Sequence, residues 1–322
     1  MGISRREFMA GAAAGAAFCA APEMIRAAAA SCPFRVAVIN DEISQDFDHA
    51  CSVAAKDFGL GWIELRGMWN KNITTLDAGQ IAESKRILAK YNLKVTDIAS
   101  PLFKVDWPGA PTSKQSERRD TFHADEDFKA QDALLEHSID LAKAFGTDRI
   151  RCFDFWRLDD VKPYRAAINE KLRQAARRLA KENLILILEN EMSCNTATGA
   201  EAAATLAAIP ERNFMLNWDP GNAATFPDSM PYPKGYDLLP KDRIGHCHAK
   251  NVVRKPDGKW EWAPVGKGVV DWAGQLRALK RDGYHYAVSL ETHWHGAGTP
   301  EASSRISMAG LKDALKQAGT GC

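Results

Sequence analysis

From residue 34 onward, short apolar runs alternate with longer stretches whose apolar positions recur at helical spacing. Leu184-Ile-Leu-Ile-Leu188 is five large aliphatics in a row, and the run stops on Glu189, Asn190 and Glu191. A short run with no polar alternation is the pattern of a strand covered on both faces, as in a parallel sheet. Comparable runs are predicted as strands at Phe34–Ile39, Trp62–Arg66, Leu93–Ala99, Asp148–Phe153, Phe214–Asp219, Arg243–His248 and Tyr286–Glu291. Between them the pattern predicts helices near Phe47–Phe58, Leu76–Tyr91, Glu126–Phe145, Ala166–Glu182, Thr198–Ala208, Trp272–Asp282 and Pro300–Gln317. Gly59, Asn92, Gly146, Pro210 and Gly283 stand where helices should stop. Residues 220–240 hold five prolines and two glycines and read as a long loop with short helical pieces. Residues 112–124 are polar and charged and read as an excursion over one end of the fold.

Eight strand–helix units in 322 residues predict an α/β protein, a (β/α)₈ barrel. In such barrels the chemistry sits at the C-terminal ends of the strands. Four successive strands place a metal-ligating side chain there. The fifth ends on Glu189, the sixth on Asp219 before Pro220-Gly221-Asn222, the seventh on His248 before Ala249-Lys250-Asn251, and the eighth on Glu291 before Thr292-His293. Any one of these alone would be an ordinary solvated strand-end residue. Four on consecutive strands of a closed barrel would converge on one point. Three carboxylates and one imidazole suit Mn²⁺, Co²⁺, Mg²⁺ or Zn²⁺ and disfavour soft-metal chemistry.

Other residues near those strand ends are candidates for touching substrate. Lys250 shares a face with His248 by strand alternation, and pairing to a lip carboxylate is its alternative role. His293 and His295 would share the face of Glu291 if the strand continued. His246 points the same way as His248 but deeper, and reads as a core histidine. Glu64 and Asn40 end earlier strands, and Asn222 follows Asp219. Trp69, Trp107 and Trp156 follow strands two, three and four, where indoles either stack on sugars or pack on the rim.

The motifs LeuGlu189Asn, Asp219ProGlyAsn, His248AlaLys and LeuGlu291Thr resemble those of the xylose isomerase-like barrels, the sugar phosphate isomerase/epimerase family. Trp62-Ile-Glu64-Leu-Arg66 and Pro264-Val-Gly-Lys-Gly-Val-Val-Asp-Trp272 resemble further motifs of that family. The resemblance covers roughly residues 34–317 and is specific to the superfamily, not to one substrate. It implies one divalent metal held by Glu189, Asp219, His248 and Glu291. It also implies proton abstraction next to a sugar carbonyl, through an enediolate, by Glu189 and Glu291 on opposite sides of the substrate. Arg254, six residues after His248, stands where ketose epimerases contact substrate oxygens. Asn195 departs from the pattern, since epimerases can carry an acid there. Elimination is the alternative outcome of the same proton abstraction, by a lyase or hydratase of 3-keto-glycosides or an inosose-type dehydratase. A non-catalytic carbohydrate-binding barrel is the third possibility.

Residues 1–30 change the picture of where this chemistry takes place. Ser4-Arg5-Arg6-Glu7-Phe8-Met9 before an Ala/Gly-rich run resembles a twin-arginine export signal, with the barrel expected over 31–322 and a periplasmic location. Without that segment the chain is electrically neutral, so no nucleic-acid or anionic-membrane partner is expected. No later stretch is apolar for long enough to insert in a membrane. The expected partner is a small carbohydrate, with a homo-oligomer possible. Of the seven cysteines, Cys19 lies in the signal and none forms a CxxC pair. The remaining six allow disulfides whose pairing spacing cannot assign. Cys152 and Cys247, inside strands, read as core thiols.

Overall fold

The computed structural model describes residues 32–116, 127–227 and 229–322. The expected signal at 1–30 and residues 117–124 of the expected excursion lie outside the described residues.

Eight parallel strands form the barrel: β1 (Arg35–Val38), β2 (Trp62–Leu65), β3 (Lys94–Leu102), β4 (Arg149–Cys152), β5 (Ile185–Glu189), β6 (Phe214–Trp218), β7 (Ile244–Ala249) and β8 (Ala287–Leu290). Hydrogen bonding runs β1-β8-β7-β6-β5-β4-β3-β2. A single parallel bridge, Ile39 to Glu64, joins β2 back to β1. The cylinder is therefore nearly closed, as the alternation of runs and helices predicts.

The helices are α1 (Phe47–Ser52), α2 (Ala78–Tyr91), α3 (Gln131–Phe145), α4 (Arg165–Ala180), α5 (Gly199–Ala208), α6 (Pro220–Ala224), α7 (Trp272–Arg281) and α8 (Pro300–Gln317). Local chemistry sets several of their ends. Asp77 with Gln80, and Thr198 with Glu201, form capping boxes at the starts of α2 and α5. Asn92 and Gly146 take the left-handed conformation that ends α2 and α3. α1 is shorter than its periodicity suggests and runs on into a wider turn over Val53–Asp57. α3 begins at Gln131, where the pattern suggested residue 126. Residues 220–240 hold α6 and a second short helical turn at Pro231–Gly235, in line with the proline count.

Two antiparallel hairpins were not anticipated: Gly67–Met68 with Lys71–Asn72, and Asn251–Arg254 with Trp260–Ala263. The second turns through Lys255-Pro-Asp-Gly258, with Gly258 at φ +82°. That is a tight-turn sequence with glycine where φ must be positive.

The outer faces of the strands carry the apolar core against the helices, with Leu186, Leu188, Leu216, Val288 and Leu290 all buried. The inside of the cylinder is filled differently. Arg149, Arg151, Asp97, Asn217, His246 and Ser289 are buried there in place of the branched aliphatics usual for the fold. Arg149 Nε reaches across the barrel to Gly245 O at 3.0 Å. Arg151 donates to the carbonyls of Ser100 and Ala99. Buried guanidinium groups are tolerated because several of their donors find acceptors.

Cys32, just before β1, is disulfide-bonded to Cys322 after α8. Cys51, Cys152, Cys194 and Cys247 are buried thiols. The bridge closes almost the whole chain, with a sequence separation of 290, and so strongly restricts the unfolded chain. Replacing Cys32 by Ser is expected to lower stability by roughly 2–5 kcal/mol while leaving the far end of the barrel unaltered. Chemical denaturation of oxidised, reduced and C32S protein checks this. Equal midpoints in all three would show that the bridge does not constrain the unfolded state.

Candidate functional site

Glu189 closes β5 and Asp219 follows β6 directly. His248 lies in the last turn of β7, and Glu291 follows β8. All four are buried, and one ligand atom from each lies within 4.8 Å of the other three. His248 Nδ1 is 3.1 Å from Glu291 Oε2, 3.5 Å from Glu189 Oε1 and 3.8 Å from Asp219 Oδ2. The convergence expected from four strand ends is what the barrel produces.

The backs of these groups are occupied. Arg151 Nη1 is 3.1 Å from Glu189 Oε2, and Arg66 Nη1 is 2.7 Å from Glu291 Oε1. Each glutamate thus has one oxygen held by a guanidinium and the other turned to the centre. Arg66 also holds Glu42 and Asp41. His248 Nε2 lies 3.1 Å from Glu64 Oε1. Asn217 Nδ2 lies 3.0 Å from the same nitrogen, and Nδ1 faces the carboxylates, so the ring is held from behind as metal-binding histidines are. His246, one layer down, is buried as expected, 3.0 Å from Asn217 Oδ1 and 3.1 Å from Asp97 Oδ1.

The remaining candidates divide. Lys250, fully buried, places Nζ 2.9 Å from Asp219 Oδ2, 2.5 Å from Glu291 Oε2 and 3.1 Å from Asn222 Oδ1. Asn222 Nδ2 donates to Glu189 Oε1 at 3.2 Å. A Cβ on Gly221 would lie 2.7 Å from Lys250 Cβ, so the glycine of AspProGlyAsn lets the lysine stem pass. His293 reaches the cluster by a route that alternation did not suggest. The strand ends at Leu290, and His293 turns back at φ +47°, bringing Nε2 to 3.3 Å from Glu291 Oε1. Such a backbone conformation is costly for a non-glycine residue and is held by its surroundings. Arg254 turns away from the centre and donates to the carbonyls of Ala224 and Phe226. Asn195 spends its amide on the carbonyls of Asp154, Phe155 and Trp156.

Burial raises every carboxyl pKa here, and the partners decide the net result. For Glu189, burial is outweighed by His248 and Arg151, and the carboxyl is held down at about 2. Glu64 is likewise held at about 2 by His248 and His246 against the same burial penalty. Lys250, His293 and His248 overcome burial at Glu291 and hold it well below its ordinary value. Asp219 is the exception: burial, only partly offset by Lys250, raises it to about 6. His248 resists its burial because Glu64, Glu189 and Glu291 surround it, which raises its pKa.

Asp219 Oδ2, His248 Nδ1 and Glu291 Oε2 are buried without a well-formed hydrogen bond, although Lys250 Nζ lies close to the two oxygens. All three point into the space between the four residues. They are ion-paired all the same: Lys250 Nζ lies on the two oxygens, and His248 Nδ1 is 3.1 Å from Glu291 Oε2. A divalent cation of oxygen and imidazole preference would take all three atoms as ligands.

Next to the four residues lies a cavity of about 480 Å³. Its lining includes Asn222 and His293, which contact Glu189 and Glu291, and Lys104, Glu191, Ser193, Trp260 and Trp262. The two tryptophans come from the unanticipated hairpin. Trp69 instead packs on Phe47, Trp107 on Phe128 and Phe155, and Trp156 beside Lys104.

A family model described as xylose isomerase-like TIM barrel matches residues 53–314. A search of the curated proteins finds no match. Solved structures of the same fold include three that nearly coincide in extent. A xylose isomerase-like TIM barrel protein from Mycobacterium smegmatis, in complex with magnesium, is 17% identical with TM-score 0.62, covering 89% of this chain and 98% of that one. D-allulose 3-epimerase from Methylomonas sp. is 18% identical with TM-score 0.62, covering 89% and 99%. The probable 3-DHS dehydratase involved in petrobactin synthesis from Bacillus anthracis is 19% identical with TM-score 0.63, covering 87% and 98%. At these identities the neighbours establish the fold, and the match over most of the sequence establishes the family: this chain belongs to the xylose isomerase-like TIM barrels.

Proposed function

We propose that this protein is a divalent-metal-dependent sugar isomerase or epimerase, acting on a free sugar or keto-sugar by removing the proton next to a carbonyl. The observation that carries the reading is the pair Glu189 and Glu291. Both are buried and ionised, each is pinned through one oxygen by an arginine, and each turns the other oxygen to a shared centre. Glu189, Asp219, His248 and Glu291 would hold the metal. When bound, the metal supplies Lewis acidity to a carbonyl and its neighbouring hydroxyl.

The chain's own groups then divide the work. Arg151 and Arg66 prevent the two carboxylates from rotating, so a C–H bond held between them meets a fixed oxygen on either side. One glutamate takes the proton and the other can return it, a role worth roughly 10²–10⁴-fold. Lys250 and Asn222 place an ammonium and an amide at the same point, suited to hold oxygen that gains negative charge. His293 covers Glu291 and faces the cavity. Elimination to an unsaturated product is the second reading; the same proton is removed, and a leaving group two carbons from the carbonyl departs. The 3-DHS dehydratase among the structural neighbours favours keeping it.

We also propose that residues 1–30 direct export through the twin-arginine route to the periplasm. The Cys32–Cys322 bridge supports this, because disulfides persist in oxidising compartments.

In D₂O with Mn²⁺, wild-type protein is expected to exchange a carbon-bound hydrogen of its sugar. Glu189→Gln and Glu291→Gln should each lose that exchange at least 100-fold with unchanged circular dichroism. NMR of the sugar reads the exchange, and two variants that still exchange would defeat the two-base proposal. Calorimetry should find one Mn²⁺ per chain, with binding lost in Asp219→Asn. In Glu64→Gln it should weaken roughly 10- to 100-fold, through loss of the acceptor that orients His248. Sugar binding that persists unchanged in chelator, without exchange, would instead mark a non-catalytic carbohydrate-binding barrel.

A further inference from the structure

Lys250 claims the same atoms as the metal proposed above. Its ammonium lies 2.9 Å from Asp219 Oδ2 and 2.5 Å from Glu291 Oε2. Those two oxygens also face His248 Nδ1, at 3.8 and 3.1 Å. They therefore stand on the side of the carboxylates that a cation held by the four residues would use. The remaining oxygen of Glu291 accepts from Arg66 Nη1, and that of Asp219 accepts from the backbone of Asn222. Each carboxylate thus turns one oxygen inward, and an ammonium and a divalent cation compete for it.

The lysine is fixed at its root and adjustable at its tip. Its carbonyl accepts from Trp272 Nε1 at 2.9 Å. Gly221 crowds the stem, since a Cβ there would lie 2.7 Å from Lys250 Cβ and 2.9 Å from Cγ. The outer bonds of the flexible stem still let the ammonium change partners. Two other partners are within reach. Asn222 Oδ1 is 3.1 Å from Nζ, and the centre of the Trp262 ring is 5.0 Å away, close enough for a cation–π contact. Lys250 and Asp219 are fully buried and Glu291 is nearly so. In a site so shielded from water, two cations on the same pair of oxygens repel strongly. A carboxylate pair left with neither is also costly, because buried charge stays behind without compensation.

Resting on the metal-dependent reading above, we infer that Lys250 is a tethered competitor for the metal position. Its ammonium neutralises Asp219 and Glu291 when no metal is bound. It gives them up to a divalent cation by moving to Asn222 and the face of Trp262. Metal affinity is then set by the difference between two cations at the same oxygens, not by the four ligands alone. The apparent affinity falls by the fraction of molecules in which the lysine has withdrawn. In return, the carboxylates keep a counter-charge before any metal arrives.

Lys250→Met keeps the length of the stem and removes the charge, and Lys250→Gln is a second neutral variant. Calorimetry on chelator-treated protein is expected to show Mn²⁺ binding at least roughly tenfold tighter in these variants than in wild type. Without metal the variants should melt below wild type, and Mn²⁺ should raise their melting temperature by more. A lysine that merely braces the fold would lower the melting temperature without tightening the metal. In wild-type protein labelled with ¹³C-lysine, the Cε resonance of Lys250 is assigned by its loss in either variant. It should shift on saturation with Zn²⁺, which is diamagnetic. Mn²⁺ binding that is unchanged or weaker in both variants, or a Lys250 resonance that Zn²⁺ leaves in place, would overturn the inference while the metal-dependent reading stands. Metal binding by neither wild type nor variants would overturn both.

Discussion

Everything at the mouth of this barrel depends on balancing charge without water. Glu42, Glu64, Glu189, Asp219 and Glu291 are buried together with Arg66, Arg151, Lys250 and His248. Taking an ion out of water costs several kcal/mol even after relaxation, and only close, well-oriented partners offset it. The partners overlap. Arg151 serves Glu189, Arg66 serves Glu291 and Glu42, and Lys250 serves Asp219 and Glu291. Removing one of these cations weakens the balance at more than one carboxylate. The arrangement therefore restricts sequence change well beyond the residues that would touch metal or substrate.

The balance is incomplete at one place. Asp219 alone among the central carboxyls is pushed up, to about 6, and its Oδ2 has no well-formed hydrogen bond. His248 Nδ1 and Glu291 Oε2 share that condition. Lys250 Nζ, 2.9 Å from Asp219 Oδ2 and 2.5 Å from Glu291 Oε2, supplies the positive charge at the atoms that a divalent cation would use. A ligand that binds only the folded state adds to stability in proportion to the logarithm of its saturation. A metal bound at the proposed site would couple folding to metal loading in this way.

Much of this was legible in the sequence because it rests on periodicity. Buried parallel strands announce themselves as unbroken aliphatic runs, and barrel closure follows from eight of them. The four strand-end ligands then fall into place by topology alone. What was not legible depends on contacts between distant segments. Arg149 and Arg151 alternate within β4 and both are buried, but nothing in Arg-Ile-Arg-Cys names Glu189 as the partner. Arg66 closes the run Trp62–Arg66, yet its hold on Glu291 spans 225 residues. His293 was assigned to the right neighbourhood by strand alternation, whereas the chain reaches it through a left-handed turn. The tryptophan hairpin has a local signal, Lys-Pro-Asp-Gly between two short segments, but nothing in the barrel pattern requires a strand there. Arg254, which sequence spacing suggested for the substrate, braces the loop after β6 from behind.

The chain ends bear on how the centre is assembled. Strands run from one face of a barrel to the other and helices return, so the segment before β1 and the segment after α8 meet at the face opposite the metal ligands. Cys32 and Cys322 can therefore be joined without disturbing the proposed ligands. On the proposed route the protein crosses the membrane already folded, from a reducing compartment to an oxidising one. An oxygen-rich site with one imidazole is poorly placed to refuse copper or zinc on affinity alone, since affinity follows the metal more than the ligand set. Folding around the intended metal first, then closing the bridge at the far face after transit, would separate the choice of metal from the compartment that would bias it. The geometry permits that order because the two covalently important ends of the molecule and its electrostatic centre lie on opposite sides of the same cylinder.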